Sequence, residues 1–293
     1  MIHAIVFSKN RASQLRLLLE SIEKYARGIF DITVLYTISN EDHEKGYEKL
    51  MKEFQVEYIK ETNLKEQLLE QLKKPYEHTA YFCDDDVFYD YITTDFLKAF
   101  SIQSLTPPNY RMVDVLAFSL HLGTNNTYCY PLDIPIKIGS YLEQDGFIAW
   151  YWNLGIDKWN DGILNEIRKN NPWRGSTHDF AYPLTVTSQV FRTRDIQEIT
   201  EPLDFKTPNE YETAMQKVKS DKLIMASYPT SRVVNVPTNI VQETHANKFG
   251  VEHKNTANDL NDKYLKGEVI DINCIPSNIT ATHQEFPFTF KKI

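Results

Sequence analysis

Along the first hundred residues, short apolar runs alternate with amphipathic stretches, and each pair is separated by a polar turn. Ile2-His3-Ala4-Ile5-Val6-Phe7 predicts a buried strand, closed by the turn Ser8-Lys9-Asn10-Arg11. Leu15, Leu18, Leu19 and Ile22 then recur at helical spacing, with Ser13 as the expected cap. Ile32 to Tyr36 predicts a second strand, and Tyr47, Leu50, Met51 and Phe54 predict one face of a helix from about Glu41. Val56 to Ile59 reads as a third strand, and Asn63 as the cap of a helix carrying Leu64, Leu68, Leu69 and Leu72. Pro75 ends that helix. A fourth apolar run, Thr79 to Cys83, stops abruptly at Asp84-Asp85-Asp86. This alternation predicts an α/β fold with a mainly parallel, doubly wound sheet sandwiched by helices.

The second part of the chain is less regular. Thr94 to Phe100 predicts a helix and Val113 to Phe118 a return to the sheet. From His121 to Arg174 the chain is rich in Tyr, Trp, Asn and Asp, which predicts an aromatic insertion. Further strands are expected within Tyr182 to Arg192, Lys222 to Ala226 and Val233 to Val236, and helices from about Asn209 and over Ala257 to Leu265, the last stopped by Gly267. From Cys274 onward the periodicity fades, and an irregular tail wrapping the surface is expected. With no clear linker, the 293 residues are expected to form a single domain.

Three adjacent carboxylates repel one another, and a strand does not need them in order to fold. A positive group is therefore expected at the tip of the fourth strand. Hard divalent cations take oxygen ligands of this kind, and open α/β sheets place ligands at the carboxyl ends of their strands. The acids predict a metal site that helps to hold a nucleotide diphosphate; the alternative is a solvated acidic turn. Composition narrows the rest. A net charge of −8 argues against a nucleic-acid partner. With only 10 Gly, no Gly-rich phosphate loop is present, which leaves charge neutralisation to a cation. Three scattered cysteines make no disulfide framework and predict a reducing, cytoplasmic setting. No stretch is apolar enough to span a bilayer, which leaves peripheral membrane contact open.

The first 120 or so residues resemble the nucleotide-sugar-dependent glycosyltransferases of the GT-A fold. The likeness lies in the first strand with Ser8-Lys9-Asn10-Arg11, the second strand ending near Tyr36, and Asp84-Asp85-Asp86, which looks like that family's Asp-x-Asp motif. It implies a metal-dependent transferase that moves a sugar, from a UDP-sugar by preference, to a saccharide or glycolipid acceptor in cell-surface polysaccharide synthesis. It further implies nucleotide contacts from Ser8, Asn10, Arg11, Tyr36, Asp84 and Asp85, with Asp84 at the ribose. Mn²⁺ or Mg²⁺ would sit on Asp86 and Asp84, with a C-terminal histidine as a further ligand: His245 first, His253 and His283 as rivals. Residues 1–120 would bind the nucleotide, and 121–293 would form the acceptor side and the tail.

An inverting enzyme, preferred here over a retaining one, needs a carboxylate base. Glu212 is the first choice, Glu210 the second and Asp179 the third, although acids in a first helical turn also serve the helix dipole. Trp150, Trp152 and Asp145 are expected at the acceptor, since sugar faces stack on indole and hydroxyls bind carboxylates. Two other classes compete: a sugar-nucleotide pyrophosphorylase or nucleotidyltransferase, which would usually carry glycines in its first turn, and a non-catalytic carbohydrate-binding module on a degenerate transferase fold.

Overall fold

In the computed structural model, residues 1–106, 111–152, 178–239 and 255–293 are described. The predicted alternation is present: β1 (Ile2–Lys9), α1 (Ala12–Tyr25), β2 (Phe30–Thr37), α2 (Glu41–Glu53), β3 (Glu57–Lys60), α3 (Leu64–Leu72) and β4 (His78–Cys83) follow one another. Asn40 and Asn63 cap α2 and α3, each accepting from a backbone N–H three residues on, which satisfies a donor the helix cannot use. Ser13 is not a cap. Helix α1 begins one residue earlier, and Ser13 is buried inside it.

After β4 come the short β5 (Asp86–Phe88), a 3-10 turn at Thr94–Ser101, β6 (Gln103–Thr106) and β7 (Arg111–Ser119). Next are the small pair β8 (Tyr128–Cys129) and β9 (Ile134–Pro135), then the hairpin β10 (Tyr141–Gln144) and β11 (Phe147–Tyr151). The remainder holds β12 (Gln189–Arg192), α4 (Thr193–Thr200), α5 (Pro208–Met215), β13 (Ile224–Ser227), β14 (Val233–Asn235), α6 (Ala257–Leu265), β15 (Glu268–Ile270) and β16 (Phe290–Lys292).

Ten strands form one sheet in the order β10-β11-β13-β7-β12-β4-β1-β2-β3, with β6 on β7. Strands β1, β2, β3, β4, β7, β10 and β13 run the same way; β6, β11 and β12 run against them. The sheet is thus large, mostly parallel in direction and flanked by helices, an α/β architecture as the sequence predicts.

Alternate residues of β1 feed two cores. Ile2, Ala4 and Val6 pack with Leu15, Leu18, Leu19 and Ile22 of α1 and with Tyr47 and Leu50 of α2. Ile5 and Phe7 pack with Leu64, Leu68 and Leu72 of α3, Ile196 of α4 and Tyr211 and Met215 of α5. Each such apolar side chain contributes about 1.5–3 kcal/mol by leaving water.

Two expectations change. Tyr182 to Arg192 is strand only from Gln189, because Ser188, in the left-handed region at φ 51°, breaks the extended run before it. The aromatic block Phe147 to Tyr151 is no covering insertion: it is β11, buried along its length and hydrogen-bonded to β13 within the main sheet. The C-terminal tail also does more than wrap. Ile270, Ile272, Ile279 and Phe286 close a third core over Leu17 of α1 and Val87 of β5.

Helices α2 and α6 approach closely at Gly46. A Cβ there would meet the Asn261 side chain, which is held by its bond to the Asp42 carbonyl at 2.8 Å, and Ala12 at 3.2 Å. Gly46→Val should therefore destabilise the fold by about 1–3 kcal/mol through overpacking; a urea titration with an unchanged midpoint would contradict this contact.

Candidate active site

The turn after β1 and the turn after β4 lie side by side because their strands are neighbours in parallel register, Phe7 opposite Cys83. The Asp84 amide donates to the Phe7 carbonyl at 3.0 Å, carrying the pairing one step past the strand end. Into this junction Arg11 inserts its side chain. One Nη1 donates to Asp84 Oδ1 at 3.0 Å and to Asp85 Oδ2 at 2.9 Å, with all three side chains less than a tenth exposed. Its Nε donates to Asn239 Oδ1 at 2.8 Å, and its Nη2 to the Asn239 carbonyl. The positive group expected at the strand tip is thus supplied, at least in part, by the chain itself.

Asp84 is held from the other side as well. Its Oδ2 accepts from the Ser8 hydroxyl and from the Lys9 amide, both at 3.0 Å. Since Ser8 donates to the carboxylate, the Tyr47 hydroxyl 2.5 Å away donates to Ser8 and in turn accepts from the Arg11 amide at 3.3 Å. The chain of bonds from Arg11 through Tyr47 and Ser8 to Asp84 polarises in one sense. Tyr36, half-buried at the end of β2, stacks on Tyr47 with ring centroids 4.8 Å apart. Asn10, at φ 60°, exchanges side-chain bonds with Ser39 at the end of the same strand. Ser8, Asn10, Arg11, Tyr36, Asp84 and Asp85 therefore share one corner at the carboxyl edge of the sheet.

Asp86 faces elsewhere. Its carboxylate turns back to accept from the Cys83 amide at 3.0 Å and from Asn235 Nδ2 at 2.9 Å, and the residue is fully buried. Burial, and then the charge of Asp85, pushes its carboxyl up to about 8. Burial likewise raises Asp84, against the pull of Arg11. Asn235 also donates to Asp85 Oδ1, so one amide spans two of the acids. It reaches them because β14 pairs antiparallel with β5, placing Asn235 opposite Asp86.

Two carboxylates, Asp84 and Asp85, face one buried guanidinium, and oxygens of this kind are those a hard divalent cation takes. Asp85 is the acid least enclosed by its own turn. Among the described residues, no three His, Cys, Asp or Glu side chains converge on one point. His245 and His253 lie outside the described residues. His283 lies inside the site: its backbone bridges in parallel to Asn235, and its ring is within electrostatic reach of Asp85, Asp179 and Glu212.

The three carboxylates expected as bases have different surroundings. Glu210 closes a helix cap, its amide bonded to Thr207 Oγ1 and its carboxylate accepting from the Lys206 amide at 2.7 Å. Glu212 accepts from the Tyr182 hydroxyl at 3.1 Å, the Thr185 hydroxyl at 2.8 Å and the Val186 amide at 2.9 Å, which ties α5 to the segment before β12. Asp179 accepts from Cys129 Sγ at 3.1 Å and from Thr282 Oγ1 at 2.9 Å, beside His283.

The acceptor expectations fare differently. Trp150 is buried in β11, where its Nε1 donates to the Phe180 carbonyl at 2.7 Å, so its indole is core and no sugar platform. Trp152 is half-buried and donates to the Lys222 carbonyl at 3.1 Å. Asp145, at φ 53°, forms the exposed tip of the β10–β11 hairpin with Gly146, on the far flank of the sheet from β4. Tyr47, Asn235, Asn239 and Thr282 escape sequence reasoning. Their neighbours in the chain carry no local signal, and only the fold brings them to the acids.

No protein-family model matches the chain, and no curated protein matches it. Among solved structures, S. aureus TarS 1–349 in complex with UDP gives a TM-score of 0.43 at 14% identity, over 81% of this chain and 62% of that one. S. aureus TarS gives 0.43 at 13% identity, over 80% of this chain and 36% of that one. The WbbM bifunctional glycosyltransferase, in its apo structure, gives 0.34 at 11% identity, over 73% and 37%. The chain thus spans less than two thirds of the length of these proteins.

Removing one partner of a buried ion pair leaves the other charge uncompensated, at a cost of about 3–5 kcal/mol. Arg11→Met should lower stability by this amount in urea titrations in EDTA; a loss under about 1 kcal/mol, the worth of an exposed pair, would mean that the cluster is solvated. Asp86 gives a second test. A carboxyl whose folded pKa is raised stabilises the fold fully below its ordinary range and loses that contribution as pH rises toward 8. In EDTA, the Tm of Asp86→Asn relative to the wild type should rise between pH 5 and 8, a difference that isolates this carboxyl from the buried histidines, which act in the opposite sense; parallel curves would rule out the buried, raised carboxyl.

Proposed function

We propose that this protein is a glycosyltransferase that moves a sugar from a nucleoside-diphosphate donor, preferably a UDP-sugar, to a saccharide or glycolipid acceptor. The observation that carries this reading is the corner where Asp84 and Asp85 grip Arg11 at the carboxyl ends of parallel strands, beside the Tyr36–Tyr47 stack. Such an edge is where α/β sheets take nucleotides. A half-buried aromatic face offers stacking to a base. Carboxylate and hydroxyl groups fixed by backbone amides offer acceptors to ribose hydroxyls without reorganising on binding.

The roles follow from the surroundings. Tyr36, with Ser8 and Asn10 in the adjoining turn, would take the nucleoside, and Asp84 its ribose. Asp85 would hold Mn²⁺ or Mg²⁺ more readily than Asp86, because its oxygens accept from side chains, Arg11 and Asn235, that can turn away, whereas Asp86 also accepts from the Cys83 backbone amide. The cation, when bound, neutralises the charge that develops on the departing nucleoside diphosphate. Arg11 keeps Asp84 and Asp85 oriented before the donor arrives. His283 stands at the same edge, its backbone bridged to Asn235. Of the candidate bases, Asp179 and Glu212 both stand within electrostatic reach of the His283 imidazole, which favours them over Glu210, whose carboxylate closes its own helix cap, for an inverting transfer. The cell-surface polysaccharide role is carried only by the resemblance of the first 120 or so residues to GT-A transferases.

Thermal unfolding with nucleotides tests this reading. UDP with Mn²⁺ at about a hundred times its Kd should stabilise the protein by roughly 2.7 kcal/mol, Asp85→Ala should lose the shift, and EDTA should reduce it. A shift with nucleoside triphosphates alone would favour a nucleotidyltransferase, and no shift with any nucleotide would refute the donor site.

A further inference from the structure

Arg11 is fastened on one side and shared on the other. Its Nε donates to Asn239 Oδ1 at 2.8 Å and its Nη2 to the Asn239 carbonyl. The Asn239 side chain is itself held, since its Nδ2 donates to the Asn255 carbonyl at 3.0 Å. On the opposite side Nη1 gives one N–H to Asp84 Oδ1 at 3.0 Å and the other to Asp85 Oδ2 at 2.9 Å.

The two acids are tied to this nitrogen differently. Asp84 is also fixed by the first turn, where its Oδ2 accepts from the Lys9 amide and the Ser8 hydroxyl, both at 3.0 Å. Among the described residues, the Asp85 carboxylate accepts from side chains alone, Arg11 at Oδ2 and Asn235 at Oδ1. Asp86 does not touch Arg11; it turns to the Cys83 amide and Asn235. Opening the bond to Asp85 therefore leaves the guanidinium with three of its four side-chain bonds, and leaves Asp84 with all of its own.

Charge sets when that bond opens. One guanidinium meets two carboxylates, so one negative charge at this pair is uncompensated. A divalent cation placed on Asp85 would turn that deficit into an excess positive charge beside Arg11. All three side chains are less than a tenth exposed, so little water screens the repulsion. A diphosphate supplies the negative charge that both cations need.

We propose that Arg11 is a built-in competitor of the divalent cation: in the free protein it occupies the Asp85 oxygen that the cation would take, and only a nucleoside diphosphate lets cation and guanidinium share the corner. Cation and nucleotide then bind with positive coupling, and each raises the affinity of the other by the same factor. The corner stays closed to free cations and admits one together with the donor. This competition rests on the donor and cation reading above; the ion pair does not.

Mn²⁺ binding to the full chain, read from the loss of the free-ion electron paramagnetic resonance signal, tests it with and without UDP, against UDP alone as the blank. UDP should tighten Mn²⁺ binding to the wild type by about 5- to 150-fold, the usual span of coupling between two sites. Without UDP, Arg11→Met should bind Mn²⁺ at least about tenfold more tightly than the wild type, and adding Asp85→Asn should remove that gain. Mn²⁺ should also raise the Tm of Arg11→Met more than that of the wild type, because the ion replaces the missing charge. Equal Mn²⁺ affinity of the two proteins without UDP overturns the proposal. Where the variant fails to fold, the wild type decides: Mn²⁺ bound as tightly without UDP as with it is equally fatal. Absence of Mn²⁺ binding in every sample overturns the competition as well. Thermal protection by UDP in EDTA then separates the two ideas, since its presence leaves the donor reading standing and its absence removes that too.

Discussion

A guanidinium removed from water between two carboxylates is the constraint around which this molecule is arranged. Arg11 has fewer ways to be satisfied than to be frustrated. It is buried, so its N–H groups need acceptors, and Asp84, Asp85 and Asn239 take four of the five. A lysine could carry the charge, but it lacks the rigid planar fork that reaches both acids and the Asn239 side chain at once. Taking these ions out of water is costly, and their attraction compensates only where the geometry and the remaining bonds are good. The surrounding donors, Ser8, the Lys9 amide and Asn235, meet that condition.

From this pairing the layout of the site follows. Strands β1 and β4 must be adjacent and parallel for Arg11 to reach the acids, and α1 must start at Ala12 so that the arginine points back over the sheet edge. Asn239 brings the later chain to the same point, and the β5–β14 pair brings Asn235. The extended segment at Thr282 and His283 then docks on Asn235. Each addition satisfies a polar group left by the one before. The carboxyl edge of the sheet is thereby built from residues more than two hundred positions apart, with its acceptors fixed in advance of any ligand.

The differences between expectation and structure have physical causes. Trp150 looks like a sugar platform in the sequence because indoles stack on sugars, yet an apolar run of five residues also makes a buried strand, and pairing with β13 decided the matter. Asp86 looks like a ligand because it ends an acid triplet. Its backbone begins a new strand, and its side chain closes the turn behind it. Glu212 sits in the first turns of a helix, where the dipole favours an acid, and its three hydrogen bonds hold a loop. In each case the residue type was compatible with chemistry, and the competing demand was local satisfaction of backbone and packing.

What the sequence by itself determined is the α/β alternation, the two-faced burial of β1 and the placing of the acids at a strand end. Periodicity and caps act over a few residues, and they survive whatever the rest of the chain does. The partners of the acids were decided only by tertiary structure. No local rule links Arg11 to Asn239, Asp86 to Asn235, or Asp179 to Thr282, since each pair is joined by sheet order and by the path of the tail. Hydrogen bonds between such groups exist only once the fold brings them within three ångströms of one another.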